Sequence, residues 1–177
     1  MNIREAKLED ASAIAKVHVD SWQTTYYGLL PDDYIAKHSY DKRLKKWAKR
    51  LGNNSQQTKT YVTYVAENTT GEIVGFIDGG MFRGNSPTYT GEIYALYILA
   101  DHQQKGLGKN LVRAIASRLS ELELTSILVW VLAGNPAIHF YQALGGQLIG
   151  HKPLRIGDRK FIEFAYGWTD TQILLFP

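Results

Sequence analysis

The sequence predicts an α/β (α+β) sandwich: a mixed, twisted central sheet of about seven strands with helices on both faces. Three observations predict it. Extended runs rich in β-branched and aromatic residues alternate with segments whose apolar residues recur three and four apart, in the order β-α-α-β-β-β-α-β-α-β-β. Ser126 to Leu132 is apolar almost throughout, as a strand covered on both faces would be. Short turns at Asn68-Thr69-Thr70-Gly71 and Gly157-Asp158 join neighbouring strands into hairpins. The 177 residues suit one domain, 1–177, with enough chain for a substantial core.

Asn2 to Ala6 reads as the first strand. Ala11, Ile14, Ala15, His18 and Trp22 mark one face of a helix, with Asp10 as its N-cap. His18 on that face reads as a packed core histidine. The helix leads into the aromatic stretch Trp22 to Gly28 and then Pro31. A second helix is expected from Asp32 to Leu51, its inner face carrying Tyr34, Ile35, His38, Leu44, Trp47 and Leu51. Residues 52–59 are polar and aperiodic, so an exposed loop is expected there. Tyr61 to Ala66 and Ile73 to Ile77 form a hairpin, and Arg83 to Pro87 connect to the next strand, which runs to Leu99. A long helix follows, with Leu107, Leu111, Ala114, Ile115, Leu119 and Leu122 at helical spacing. After the strand ending at Leu132, Ala133 to Pro136 turn into a short helix, 137–144, which Gly145-Gly146 ends. Gln147 to Ile149 and Phe161 to Tyr166 read as the last hairpin, and Trp168 to Pro177 as a tail packed on the sheet.

Composition narrows the chemistry. There is no cysteine, which excludes a disulfide framework, a zinc–thiolate site and a cysteine nucleophile. The net charge of +3 is too small to argue for nucleic acid, and the basic residues between Lys37 and Arg50 fall at the spacing of a solvated helix face. No apolar run is long enough to span a bilayer, and the N-terminus reads as a strand rather than a signal peptide. A cytoplasmic location is expected, with no membrane partner and no metal.

The segment Gln103-Gln104-Lys105-Gly106-Leu107-Gly108 lies between a strand and a helix. Its glycines place bare backbone at the helix N-terminus, where amides lack internal partners and the helix dipole favours an anion. Lys105 and Lys109 add positive charge. A P-loop would need Ser or Thr after Gly108-Lys109, where Asn110 stands, and a glycine where Gln103 stands. The dinucleotide fingerprint would need a glycine where Leu111 stands. What remains, Gln-x-x-Gly-x-Gly after a strand, resembles the pyrophosphate loop of the GNAT superfamily of acetyl-CoA-dependent N-acetyltransferases. Asn135-Pro136-Ala137-Ile138-His139-Phe140-Tyr141, followed by Leu144-Gly145-Gly146, resembles a second hallmark of that superfamily. Many members have one more residue between the asparagine and the tyrosine. Asn135 therefore either takes a cofactor-side role from a shifted place or shapes the turn only through its backbone and Pro136.

The resemblance implies a cofactor arm lying between two splayed central strands and meeting the backbone of Leu96, Tyr97 and Ile98. It implies a diphosphate on the amides from Gln103 to Gly108, with Gln104, Leu107 and Lys109 in the same loop. Amine acetylation needs a base, because an alkylammonium has a pKa of about 10.4 and no free lone pair. Glu92, eleven positions before Gln103 (103 − 92), stands where the histone-acetylating branch carries its base glutamate. It would accept the proton directly or through ordered water. An amide freed by a bulge near Leu96 to Ile98 would stabilise the oxyanion. Tyr141 would protonate the leaving thiolate. Trp22, Tyr26 and Tyr27 would wall the acceptor pocket, where aromatic faces hold an alkylammonium with ~0.5–2 kcal/mol each.

The expected activity is transfer of an acetyl group from acetyl-CoA to a primary amine, a polyamine or a peptide amine, by direct attack in a ternary complex. The alternative is a non-catalytic acyl-CoA-binding or sensing module on the same fold. Acylation of a hydroxyl and a longer acyl chain also remain open, as does homodimerisation through the last strands.

Overall fold

The computed structural model describes residues 1–52 and 61–175. Among the described residues there are seven strands: β1 (Asn2–Glu5), β2 (Tyr61–Glu67), β3 (Ile73–Met81), β4 (Gly91–Ile98), β5 (Ile127–Leu132), β6 (Gln147–Ile156) and β7 (Arg159–Trp168). They form one sheet in the order β1-β2-β3-β4-β5-β7-β6. Every neighbouring pair is antiparallel except β4 and β5. That parallel pair follows from the long helical crossover between them. The helices are α1 (Ala11–Tyr26), α2 (Asp32–Ala36), α3 (Tyr40–Gly52), α4 (Leu107–Glu121) and α5 (Ala137–Ala143). No helix among the described residues is long and apolar enough to cross a membrane.

The sheet separates two cores, as the sandwich reading expects. On one face α4 inserts Leu107, Leu111, Ile115 and Leu119 against Ile77, Ile93, Ile127 and Val129. Leu111, Ile115 and Leu119 are fully buried, which stabilises the fold by about 1.5–3 kcal/mol each. On the other face Ile14 and Val17 of α1 and Trp47 and Leu51 of α3 meet Val65 and Phe76.

Four local expectations are corrected. Asp10 stands at the N-cap position of α1 but its side chain makes no cap bond there. It sits in a 3-10 turn, Leu8–Asp10, and its carboxylate accepts from the Arg4 guanidinium at 2.7 and 2.9 Å and from the Lys7 amide at 2.7 Å. The helix expected over 32–51 is two helices. The chain leaves helical geometry after Ala36, and α3 restarts at Tyr40 with the Ser39 carbonyl accepting its first bond, from Arg43. The last hairpin is longer than expected, because β6 and β7 run continuously up to Gly157-Asp158. Trp168 closes β7 rather than opening a tail, and its indole donates to the Leu144 carbonyl at 2.8 Å. The loop expected over 52–59 lies, apart from Gly52, outside the described residues, as do residues 176–177.

Candidate active site

The sheet opens in the middle. β4 pairs with β5 only at Gly91–Ile127, Glu92–Leu128 and Ile93–Val129. Beyond Ile93, β4 stays with β3 while β5 stays with β7. A cleft of about 930 Å³ lies at this opening, between α1, the N-terminus of α4 and the start of α5. Leu96, Tyr97 and Ile98 line it, and their edge toward β5 carries no ladder partner.

The bulge is not where the sequence reading placed it. Asp78 pairs with Ala95 and Gly79 with Ile93, so Tyr94 is the extra residue, ahead of Leu96 to Ile98. One inserted residue reverses the strand's facing pattern. Ile93 belongs to the α4 core, whereas Ala95 and Tyr97 pack toward α1.

The glycine loop is built as an anion cradle. The Gln103 side-chain amide donates to the Ile98 carbonyl at 2.9 Å, tying the loop to the end of β4. Gln104 and Gly106 turn the chain at φ 58° and 78°. The first bond into α4 runs from the Asn110 amide to the Gly106 carbonyl, so the amides of residues 106–109 have no helical acceptor. Their partial positive charge and the helix dipole suit a diphosphate. Leu107 contributes backbone only, since its side chain is buried in the core. Gly108 is glycine for contact: a Cβ there would lie 3.1 Å from the Phe140 ring. Lys109 reaches the cleft, whereas the Lys105 ammonium bonds the Asp101 carbonyl at 2.7 Å and is not part of the lining.

Asn135 and Tyr141 approach the cleft from the other side. The Asn135 side-chain oxygen accepts from the Ala137 amide at 2.9 Å, fixing the turn into α5. Asn135 is also buried at the cleft wall beside Tyr26. Tyr141 lines the cleft with its ring edge-on to Phe140 and Trp168. Burial, then the nearby Tyr26, push its phenol well above the ordinary range, so it stays protonated.

The wall of the cleft at α1 is aromatic. Trp22 lies 4.3 Å from Tyr26 and 4.3 Å from His38, ring centre to ring centre. Its indole N–H is buried without a partner. The Tyr26 and Tyr97 hydroxyls are 3.5 Å apart, and burial raises both phenols. Trp22 and Tyr26 line the cleft; Tyr27, 81% exposed, does not. The reason is local. Trp22 and Tyr26, four residues apart, share one face of α1, whereas Tyr27, with a helix-like φ of −55°, projects about 100° further round the axis.

Glu92 lines the cleft, 2% exposed, and is not free. Arg83 donates to one carboxylate oxygen at 2.5 Å and to the other at 3.1 Å, and the Arg83 backbone amide adds a bond at 3.1 Å. Arg83 escaped the sequence reading because it sits in a loop without periodicity. Trp130, Lys152 and Glu163 escaped as well, and all three line the cleft. A signal existed for two of them. Counting five residues outward from Gly157 and from Asp158 reaches Lys152 and Glu163, which pair across the hairpin. Among the described residues no cluster of three His, Asp or Glu side chains could hold a metal ion.

A parallel strand pair that parts above a helix N-terminus, with a buried phenol in the gap, is the architecture of an acyl-CoA-dependent acyltransferase. Comparison with known proteins agrees. Residues 70–156 match the family model described as FR47-like protein. The uncharacterized N-acetyltransferase YuaI of Bacillus subtilis (strain 168) is 36% identical over 174 residues, covering 98% of this chain and 96% of its own. The spermidine N(1)-acetyltransferase of Thermoplasma acidophilum is 23% identical over 117 residues, covering 63% of this chain and 66% of its own. Among solved structures, the PaiA N-acetyltransferase of Thermoplasma acidophilum in complex with coenzyme A superposes with a TM-score of 0.64 at 20% identity, over 92% of this chain and 96% of that one. The chain belongs to the GNAT superfamily of N-acetyltransferases and is an acyltransferase.

Proposed function

We propose that the enzyme transfers an acetyl group from acetyl-CoA to a primary amine by direct attack in a ternary complex. The observation that carries this reading is convergence at one opening. The unpaired edge of β4, the free amides at the start of α4 and the Tyr141 side chain all meet the same cleft. The amides of residues 106–108, with Lys109 beside them, would hold the diphosphate of acetyl-CoA. The edge of β4 from Leu96 to Ile98 would bond its pantetheine amides. The gap between β4 and β5 would admit the thioester toward Tyr141.

Each group then has a task. A β4 backbone amide on the unpaired edge stabilises the oxyanion formed on attack. The Tyr141 hydroxyl donates its proton to the departing sulfur, a role that needs a phenol kept protonated. Glu92 serves as base through ordered water, because both its oxygens already face Arg83. Trp22 and Tyr26 present aromatic surface to the acceptor. The spermidine acetyltransferase among its relatives supports small amines as the first acceptors to try.

The test is thiol release from acetyl-CoA across a panel of amines, with product masses. A mass gain of one acetyl group on a primary amine is expected. A protein that binds acetyl-CoA by calorimetry yet acetylates nothing would overturn the reading in favour of a binding module.

A further inference from the structure

The far wall of the cleft holds an ammonium already, and it is the protein's own. Lys152 of β6 and Glu163 of β7 face each other across the hairpin, and Trp130 of β5 lies on the same wall. The Lys152 ammonium sits 3.9 Å from the centre of the Trp130 ring and 3.5 Å from a Glu163 carboxylate oxygen. Lys152 reaches in from the edge strand of the sheet, on a flexible stem that is 47% exposed. The Glu163 side chain is only 22% exposed, so the carboxylate belongs to the wall and the ammonium is the mobile partner.

Two carboxylates line this cleft, Glu92 and Glu163. Glu92 is held on both oxygens by Arg83. Among the described residues the ion pair of Glu163 is the looser one to Lys152, and a pair this open to solvent is weakly held. An aromatic face beside a carboxylate is the environment that favours an alkylammonium. The nitrogen that attacks the thioester must be neutral when it does so. Its own charge therefore cannot hold the acceptor in place at that moment, whereas a second ammonium on the same molecule can.

We propose that Trp130 and Glu163 form a subsite for the non-reacting ammonium of a diamine or polyamine acceptor, and that Lys152 fills this subsite until the acceptor displaces it. The inference rests on the amine-acceptor reading above and specifies its substrate class. Lys152 then acts as a built-in competitor: it lowers affinity for every dication and leaves a monoamine, which has no second charge to place there, largely unaffected.

The test compares 1,4-diaminobutane with butylamine at saturating acetyl-CoA, in the parent protein, Lys152→Met and Glu163→Gln. Removing the competitor is expected to lower the KM for 1,4-diaminobutane relative to butylamine by about threefold, and removing the carboxylate to raise that ratio by about three- to tenfold. A ratio unchanged in both variants would overturn the subsite. So would 4-aminobutanoate becoming the preferred acceptor and weakening in Lys152→Met, because Lys152 would then be a ligand for an anion. If the parent acetylates neither amine, calorimetry of 1,4-diaminobutane against coenzyme A-saturated protein decides separately. Binding that weakens in Glu163→Gln upholds the subsite while the acceptor reading fails; absence of binding overturns the subsite.

Discussion

Replacing His18 with glutamine should blunt the protein's response to mild acid. His18 is 7% exposed, and its Nδ1 accepts from the Trp47 indole N–H at 3.2 Å. Indole only donates, so that nitrogen must stay unprotonated to keep the bond. Phe76, Trp47 and Tyr97 enclose the ring. Burial, followed by the charges of Arg43, His38 and Lys46, pushes its pKa down to about 3. In the unfolded chain the imidazole titrates near ~6.5. Between these values the unfolded state binds a proton that the folded state refuses, so stability falls as pH falls. The loss is about 2 kcal/mol from pH 7 to pH 5 and about 4 kcal/mol by pH 3. Asp78 works the other way. Burial raises it to about 6 despite Arg50 and Thr63, so its folded form takes up a proton first and adds about 1 kcal/mol over the same pH 7-to-5 interval. The two terms partly cancel in the parent protein. Urea midpoints of the parent and His18→Gln, each at pH 7 and pH 5 in matched salt, separate them. The variant starts less stable at pH 7, because it loses packing, and its deficit should shrink by about 2 kcal/mol at pH 5. A deficit of equal size at both pH values would show that His18 is not held neutral and would refute the reasoning.

Other perturbations test the site and its frame. Tyr141→Phe keeps the ring contacts to Phe140 and Trp168 but removes the proton donor, so kcat should fall by about 10²–10⁴ with the acetyl-CoA dissociation constant within about twofold; turnover equal to the parent removes Tyr141 from the chemistry. Arg83→Ala leaves the buried Glu92 carboxylate with only a backbone donor and should cost about 1.5–3 kcal/mol by urea unfolding, partly recovered in the double variant Arg83→Ala/Glu92→Gln. Equal costs for single and double variants would mean that the pair is not coupled. Gly79→Ala places a Cβ 2.8 Å from both the Glu92 carbonyl and Ile115 Cδ1 and should cost about 1–3 kcal/mol through overpacking. Gly106→Ala meets open space and should cost about 1–2 kcal/mol from its φ of +78° alone.

The elements that declared themselves were those whose burial has a period. α1 and α4 each present one apolar face to one core, and β5 is covered on both sides, so composition alone marks them. β6 is exposed at most of its positions as an edge strand, so its apolar signal ends early and the hairpin looked shorter than it is. The break between α2 and α3 falls at Lys37, His38 and Ser39, with no glycine or proline to announce it. The glycine loop, Asn135 and Tyr141 were legible because their chemistry depends on residue type at fixed spacing. Arg83 and Trp130 were not, because only folding brings a loop and a strand to the same cleft; the pairing of Lys152 with Glu163 could be counted from the turn, but not its place on the cleft wall. Tyr26 and Tyr27 show the limit most sharply. Adjacent and identical, they point about 100° apart at the end of α1, so only Tyr26 shares the face of Trp22, a difference that residue type does not carry.

The bulge at Tyr94 joins these strands of the argument. A strand that kept its alternation through Ile93 would send residue 97 into the α4 core, as residue 93 is. The inserted residue sends Tyr97 instead onto His18, at 4.8 Å between ring centres, and brings its hydroxyl to Tyr26 at the end of α1. The β4–β5 ladder ends at Ile93, immediately before the same residue, so the amide edge beyond it is left for a ligand rather than for a strand. One extra residue in the backbone thus accounts for both halves of the cleft: the unpaired edge of β4, and the aromatic wall beside α1 where the proposed acceptor would lie. Gly79, opposite the bulge, has no space for a side chain, so the device occupies both strands. Its signature is a change in which residues face which helix, and side-chain type alone does not encode that change.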